Sequence, residues 1–156
     1  MMNTMEQPLV SIIIPVYNAK AHLEACVQSI LDQSYKHFEL LLINDGSSDG
    51  SSELCDELSQ KSEKIRVIHK ENGGVSTARN RGLEEVRGEF IIFVDCDDVI
   101  SQHYVESFIE SSHDADLVIG SIEDVYVDGT SKIYKTDLRI HKAPKKGVLA
   151  EEHYES

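Results

Sequence analysis

Cysteine is scarce in this chain: Cys26, Cys55 and Cys96 lie far apart, with no C-x-x-C spacing. An odd, dispersed set excludes a disulfide framework and a zinc site, and points to free thiols in a reducing compartment. Positive charge is also short. Lys+Arg number 15 against 28 Asp+Glu, a formal net charge of −13. So acidic a balance excludes a general polyanion binder, because phosphate backbones require a basic face, and nucleic acid is not expected as a partner. Long hydrophobic runs are missing too. The longest, Ile12 to Ile14, Leu40 to Ile43 and Ile91 to Val94, are far too short to span a bilayer. The stretch from Met1 to Gln7 has neither a basic n-region nor a long apolar h-region, so no signal peptide is expected and a cytoplasmic location is.

What the chain does contain is ordinary for a folded protein, 40% hydrophobic and 28% charged residues over a length of 156 that fits one domain with a buried core. Short apolar runs alternate with amphipathic stretches. Strands are expected at Leu9 to Val16, closed by Pro15, and at Phe38 to Ile43, Ile65 to His69, Phe90 to Val94 and Leu117 to Ile119. Helical spacing falls at Ala21 to Gln33, Ser52 to Gln60, Val75 to Val86 and from about Gln102 to Ser111. Val125 to Tyr134 reads as a hairpin turning at Asp128-Gly129, and Lys135 to Ser156 has no periodicity. Unbroken apolar strands alternating with helices predict an α/β fold, a mostly parallel sheet with helices on both faces in a three-layer α/β/α sandwich. Ligands then sit at the carboxyl ends of the strands, where the acidic and glycine-rich loops of this sequence fall.

That edge lacks the usual phosphate cradles. The turn after the first strand, Pro15-Val16-Tyr17-Asn18-Ala19, contains no glycine, so it is not a G-x-G-x-x-G dinucleotide site, and no G-x-x-x-x-G-K-[ST] loop occurs. If phosphates bind here, carboxylates holding a divalent cation are the alternative. Asp95, Asp97 and Asp98 form a dense acidic run at a strand end; taken alone, the run reads equally as a solvated Asx-rich turn that caps the next helix. A phosphoacceptor signalling domain also gathers aspartates on a parallel sheet, but needs an acidic pair after the first strand and an Asp after the third. Here those strands end in Tyr17-Asn18 and His69-Lys70, which sets that class aside.

Four motifs in order, S-I-I-I-P-V-Y-N from Ser11, L-L-I-N-D-G-S-S-D-G from Leu41, N-G-G-V-S-T-A-R-N-R-G from Asn72 and F-V-D-C-D-D from Phe93, resemble the family 2 glycosyltransferases with the GT-A nucleotide-diphospho-sugar transferase fold. The resemblance runs from about Pro8 to Gly120. It implies a UDP-sugar donor in a pocket formed by Pro15, Tyr17 and Asn18, with Asp45 accepting from the uracil imide and Asp49 capping the helix that follows. It further implies ligand contacts at Asn72, Gly74 and Arg79 and a D-x-D element, Asp95-Cys96-Asp97. There Asp95 meets ribose or sugar and Asp97 coordinates Mn²⁺ or Mg²⁺, with Asp98 the ligand if the register differs by one. Arg79 alternatively pairs with Glu84 or Glu85, and Arg81 has only a surface role.

The implied reaction is an inverting, metal-dependent transfer to a saccharide or lipid-linked saccharide acceptor in bacterial cell-surface polysaccharide synthesis. The domain is expected to span residues 1–156, with a donor half at about 8–120 and an incomplete acceptor side at 121–156. No catalytic base is assigned. Glu123-Asp124 reads as the start of the hairpin and Glu151-Glu152 lies in the aperiodic tail. A module that binds donor without transfer is the alternative, with homo-oligomerisation and peripheral membrane association as further expectations.

Overall fold

The computed structural model describes residues 7–112, 117–118, 122–134 and 139–140. The chain divides into two compact units, residues 1–103 and 104–156. The first alternates β1 (Val10–Val16), α1 (Leu23–Leu31), β2 (Phe38–Asp45), α2 (Ser51–Ser59), β3 (Ile65–Lys70), α3 (Val75–Glu85) and β4 (Phe90–Phe93). The four strands form one parallel sheet in the order β3-β2-β1-β4. Strand order reverses between β1 and β4, where doubly wound sheets open a crevice at their carboxyl ends.

Every residue of β1 and β2 is buried, which is why both read as continuous apolar runs and not as alternating ones. On one face Ile13, Leu41 and Ile43 pack with Ala78 of α3, flanked by Ile68 and Val86. Gly82 permits this approach, since a Cβ there would stand 2.7 Å from Ile13 Cγ2. The other face, with Ile12, Ile14, Leu40 and Leu42, is equally buried. The helices α1 and α2, which pack on one another while α2 also meets β2 and β3, are left to cover it. Each fully buried Ile or Leu contributes about 1.5–3 kcal/mol, so this two-sided core supports the sheet edge where the chemistry lies.

The first strand does not close at Pro15; it runs on to Val16, paired with Asn44. Its ladder with β4 stops earlier, at Ile13↔Phe93, with one further bond from Val94 N to Ile13 O at 3.1 Å. Odd-numbered β1 residues thus turn their backbone toward β4. Pro15, which has no N–H, sits where β4 has already left the ladder, so no sheet bond is lost. The same divergence opens the crevice. At this edge Ile91 and Phe93 of β4 remain 41% and 43% exposed.

In the second unit, α4 spans Tyr104–Ser111, β6 (Ile122–Val125) and β7 (Ser131–Tyr134) form an antiparallel hairpin, and β5 (Leu117–Val118) pairs with β8 (Arg139–Ile140). The hairpin turns where expected, with Gly129 at φ +82° and the Asp128 carboxylate accepting from Thr130 N and Oγ1. The strand β8 falls in the stretch read as aperiodic; two residues are too few to display a period. The expected donor-half boundary near residue 120 lies inside this second unit.

Candidate functional site

A cleft of about 650 Å³ opens at the carboxyl ends of β1, β2 and β4 and at the N-terminus of α3. Its walls include Pro15, Tyr17, Asn18, Asp45, Asn72, Gly74, Arg79, Asp95, Cys96 and Asp97, so residues from all four sequence motifs converge on one concavity. Asp98 is exposed and is not among the lining residues.

Two loops are stitched together to form one wall. Asn18 adopts φ +47°, a left-handed conformation that Asn tolerates better than most residues. In it, Asn18 N donates to Ser47 Oγ at 3.1 Å, and Asn18 Oδ1 accepts from Ser48 N at 2.9 Å. Ala19 N donates to Ser51 Oγ at 2.9 Å. Gly50, at φ +97°, occupies the cap position of α2, not Asp49 as expected. The Asp49 carboxylate instead accepts from Lys20 N and from Ser51 N and Oγ. Tyr17 stands 53% exposed at the rim.

Asp45, at the end of β2, is 2% exposed. Its Oδ1 accepts from Lys70 Nζ and from Gly73 N at 3.0 Å. Its Oδ2 accepts from Gly74 N at 2.9 Å and more loosely from Asn72 Nδ2 at 3.4 Å, while Asn72 Nδ2 also meets the Asp45 carbonyl at 3.0 Å. Burial alone pushes this carboxyl up; the bonds from Lys70, Gly73 and Gly74 outweigh it and hold the group below the ordinary carboxylate range. The loops meet closely. A Cβ on Gly46, itself at φ +73°, would lie 2.7 Å from Asn72 N. Lys70 completes its donor set with Glu71 O and Thr77 Oγ1.

Across the cleft, Arg79 Nη2 donates to Asp95 Oδ1 at 3.1 Å, and its guanidinium carbon lies 5.9 Å from the centre of the Phe93 ring. Arg79 Nε is buried and has no partner among the described residues. The alternative partners Glu84 and Glu85 belong to Arg81 instead. The Cys96 thiol is pushed up, chiefly by burial, and Cys26, whose Sγ donates to Asp95 O, is pushed up to about 12. Burial thus disfavours the thiolate form of both.

Among the described residues, no group of three or more His, Cys, Asp or Glu side chains converges as a ready metal cage. Asp97 lines the cleft and Asp95 beside it is tied to Arg79. One or two carboxylates at an open cleft suit a hard cation such as Mg²⁺ or Mn²⁺, which keeps waters and shares phosphate oxygens with its ligand. Residues that sequence reasoning passed over are Lys70 behind Asp45, and His22, Val75 and Ala78 in the lining. Only Lys70, a basic residue ending an apolar strand beside Asn72-Gly73-Gly74, carried a signal in the sequence. Among the described residues no helix is long and apolar enough to cross a membrane.

The glycosyltransferase GlyG of Streptococcus pneumoniae serotype 4 is 40% identical over 116 residues, 72% of this chain and 38% of that protein. The crystal structure of Staphylococcus aureus TarS 1–349 in complex with UDP-GlcNAc is similar with a TM-score of 0.60 and 29% identity, over 67% of this chain and 32% of that one. The mannosyltransferase PcManGT of Pyrobaculum calidifontis, solved with GDP-Man and Mn²⁺, shares the fold with a TM-score of 0.63 at 21% identity, over 78% of this chain and 36% of that one. The chain spans well under half the length of these proteins. The family model for Glycosyl transferase family 2 matches residues 11–153. With its parallel sheet, its cleft at the strand ends and that match over most of its length, the chain belongs to glycosyl transferase family 2.

Proposed function

We propose that this chain is the donor-binding part of a glycosyltransferase that uses a UDP-sugar and a divalent cation. The sugar passes to a hydroxyl of a saccharide or lipid-linked saccharide acceptor. The observation that carries the reading is the single cleft gathering Pro15, Tyr17 and Asn18 with Asp45, Arg79 and Asp97. It is supported by TarS, a relative solved with UDP and with UDP-GlcNAc.

In this reading Pro15, Tyr17 and Asn18 wall the nucleoside, Asp45 accepts from the uracil imide, and Asn72 and Gly74 complete that side. Arg79 reaches the diphosphate, and Asp95 with Cys96 borders ribose or sugar. Asp97, with Asp98 next to it, holds Mn²⁺ or Mg²⁺. The cation supplies Lewis-acid stabilisation of the charge that grows on the leaving diphosphate. The acceptor oxygen attacks the anomeric carbon as its bond to the diphosphate oxygen breaks, inverting the centre, and the hydroxyl proton goes to a general base. Glu123 and Asp124 lie in β6, and Glu151 and Glu152 lie outside the described residues, so no base is assigned. A second reading, donor binding without transfer, is favoured by one observation: among the described residues, those lining the cleft all lie at or before Asp97. The setting we propose is bacterial cell-surface polysaccharide synthesis at the cytoplasmic face of the membrane, with self-association through exposed apolar residues such as Ile91 and Phe93.

Calorimetric titration with UDP, GDP, CMP and dTDP, each with Mn²⁺ and with excess chelator, tests the reading. Saturable binding of UDP with Mn²⁺ is expected. No heat from any nucleotide in either condition would remove it. UDP release from UDP-glucose, UDP-galactose and their N-acetyl forms, with acceptor present, separates transfer from binding alone.

A further inference from the structure

We infer that Lys70 is a positioning residue for recognition of the nucleotide base: by holding Oδ1 of Asp45, it leaves Oδ2 as the reading oxygen. The inference rests on the proposed role of Asp45 toward uracil. The two oxygens of this buried carboxylate have different surroundings. The partners of Oδ1, Lys70 and Gly73, do not line the cleft, whereas the partners of Oδ2, Asn72 and Gly74, do. Oδ2 is therefore the cleft-side oxygen. It also has the one loose contact of the set, 3.4 Å from Asn72 Nδ2, a donor already satisfied at 3.0 Å by the Asp45 carbonyl. A base N–H can take that acceptor position without displacing a well-made bond.

Lys70 is suited to hold rather than to read. Its side chain is 19% exposed against 3% for Asp45, and it also bonds Glu71 O and Thr77 Oγ1. Three acceptors, on β2, on the loop after β3 and on α3, fix the ammonium, and the ammonium helps to fix the carboxylate. Without it, Asp45 is a buried carboxyl held only by Gly73 N, Gly74 N and the loose contact from Asn72, with Oδ1 less firmly engaged, and it takes up a proton more easily. It would then present cytosine with a donor for its N3 as readily as it presents uracil with an acceptor for its N3–H. The charged group bonded to the carboxylate is Lys70, the last residue of β3. Arg79, Asp95 and Asp97 stand elsewhere in the same cleft, with His22.

The test compares UDP and CDP affinities by calorimetry, with Mn²⁺, for the parent chain, Lys70→Met and Lys70→Arg. The parent is expected to prefer UDP. Lys70→Met should lose about tenfold in UDP affinity, the scale of one charged hydrogen bond, while CDP affinity changes little, so that discrimination collapses. Lys70→Arg, which keeps the positive donor, should restore most of the preference. If Lys70→Met weakens UDP and CDP equally, or leaves both unchanged, Lys70 does not position the reading oxygen and the inference is overturned. Should Lys70→Met fail to fold, Thr77→Val decides, since it takes one acceptor from the ammonium and leaves Lys70 in place. Retained parental discrimination in Thr77→Val would then overturn the inference. A parent chain that binds UDP and CDP alike would instead remove the base-reading role of Asp45.

Discussion

Arg79 on α3 and Asp95 after β4 face one another across the cleft, with Nη2 donating to Oδ1 at 3.1 Å. The pair is half exposed, at 38% and 56% of the two side chains, so it contributes under about 1 kcal/mol to stability. The proposed contact of Arg79 with the diphosphate therefore has a direct test. Arg79→Met should leave the urea midpoint nearly unchanged and weaken UDP by about tenfold or more while sparing uridine. Equal loss of uridine would show that the arginine acts on the fold of the site and not on the diphosphate.

Diphosphate binding should require a cation, because Asp95 and Asp97 alone repel it. At about 100 times its dissociation constant, UDP with Mn²⁺ should stabilise the chain by about 2.7 kcal/mol, and excess chelator should abolish the shift. Asp97→Asn should lose the metal-dependent part and keep the fold, since it relieves repulsion at an exposed turn. Thermal melts in the four combinations of UDP and Mn²⁺ measure this. An Asp97→Asn variant that still shows the full shift would make the D-x-D element a turn and nothing more.

Asp45 should matter for stability as well as binding. Asp45→Asn replaces an acceptor with a donor among the donors of Lys70, Gly73 and Gly74, and a buried pair broken on one side costs on the order of 3 kcal/mol. Urea unfolding followed by far-ultraviolet dichroism reads this directly. A variant as stable as the parent would mean that the loop is held by other contacts.

Acid should undo the same contact. The folded carboxyl lies below its ordinary value of about 3.9. Its contribution to stability is therefore present above that value and lost as pH falls through the folded pKa. In Lys70→Met, burial acts with one of its opponents removed, so the acid-unfolding midpoint should move to higher pH. A midpoint that does not move would detach Lys70 from the ionisation of Asp45.

Two glycines should respond differently. Gly82→Ala drives a methyl against Ile13 in the core, and should cost about 1–3 kcal/mol with little effect on UDP affinity. Gly46→Ala meets Asn72 N and sits at positive φ, so it should impair both stability and UDP binding. Paired melts and titrations separate the two. Equal loss of affinity in both would deny the Asp45-Gly46 loop a local role.

Much of the first unit was legible because its signals are local. Buried β1 and β2 carry the apolar runs Ile12 to Ile14 and Leu40 to Ile43, α3 starts after Asn72-Gly73-Gly74, and each acidic or glycine-rich loop follows a strand. Asp45 was legible as a residue of the cleft, but its partner was not. Lys70 lies 25 residues away and meets it only through the β2–β3 register, where the two are directly paired. Capping by Gly50 in place of Asp49 turned on a positive φ that the Asp-Gly pair permits without specifying. The Arg79–Asp95 pair likewise depends on the crossover that carries α3 over to β4.

By itself the sequence determined the alternation of strands and helices and the loops that carry carboxylates, glycines and an arginine, because burial and turn chemistry act over a few neighbouring residues. Tertiary structure alone decided the strand order β3-β2-β1-β4, since parallel apolar strands look alike and none encodes its neighbour. It also decided that β4 leaves β1 after Ile13↔Phe93 while β2 stays paired through Val16↔Asn44. That difference of three residues opens the cleft between Pro15 and Asp97. It arises from how far each ladder runs before its strand turns away, a property of two chain segments together and of neither alone.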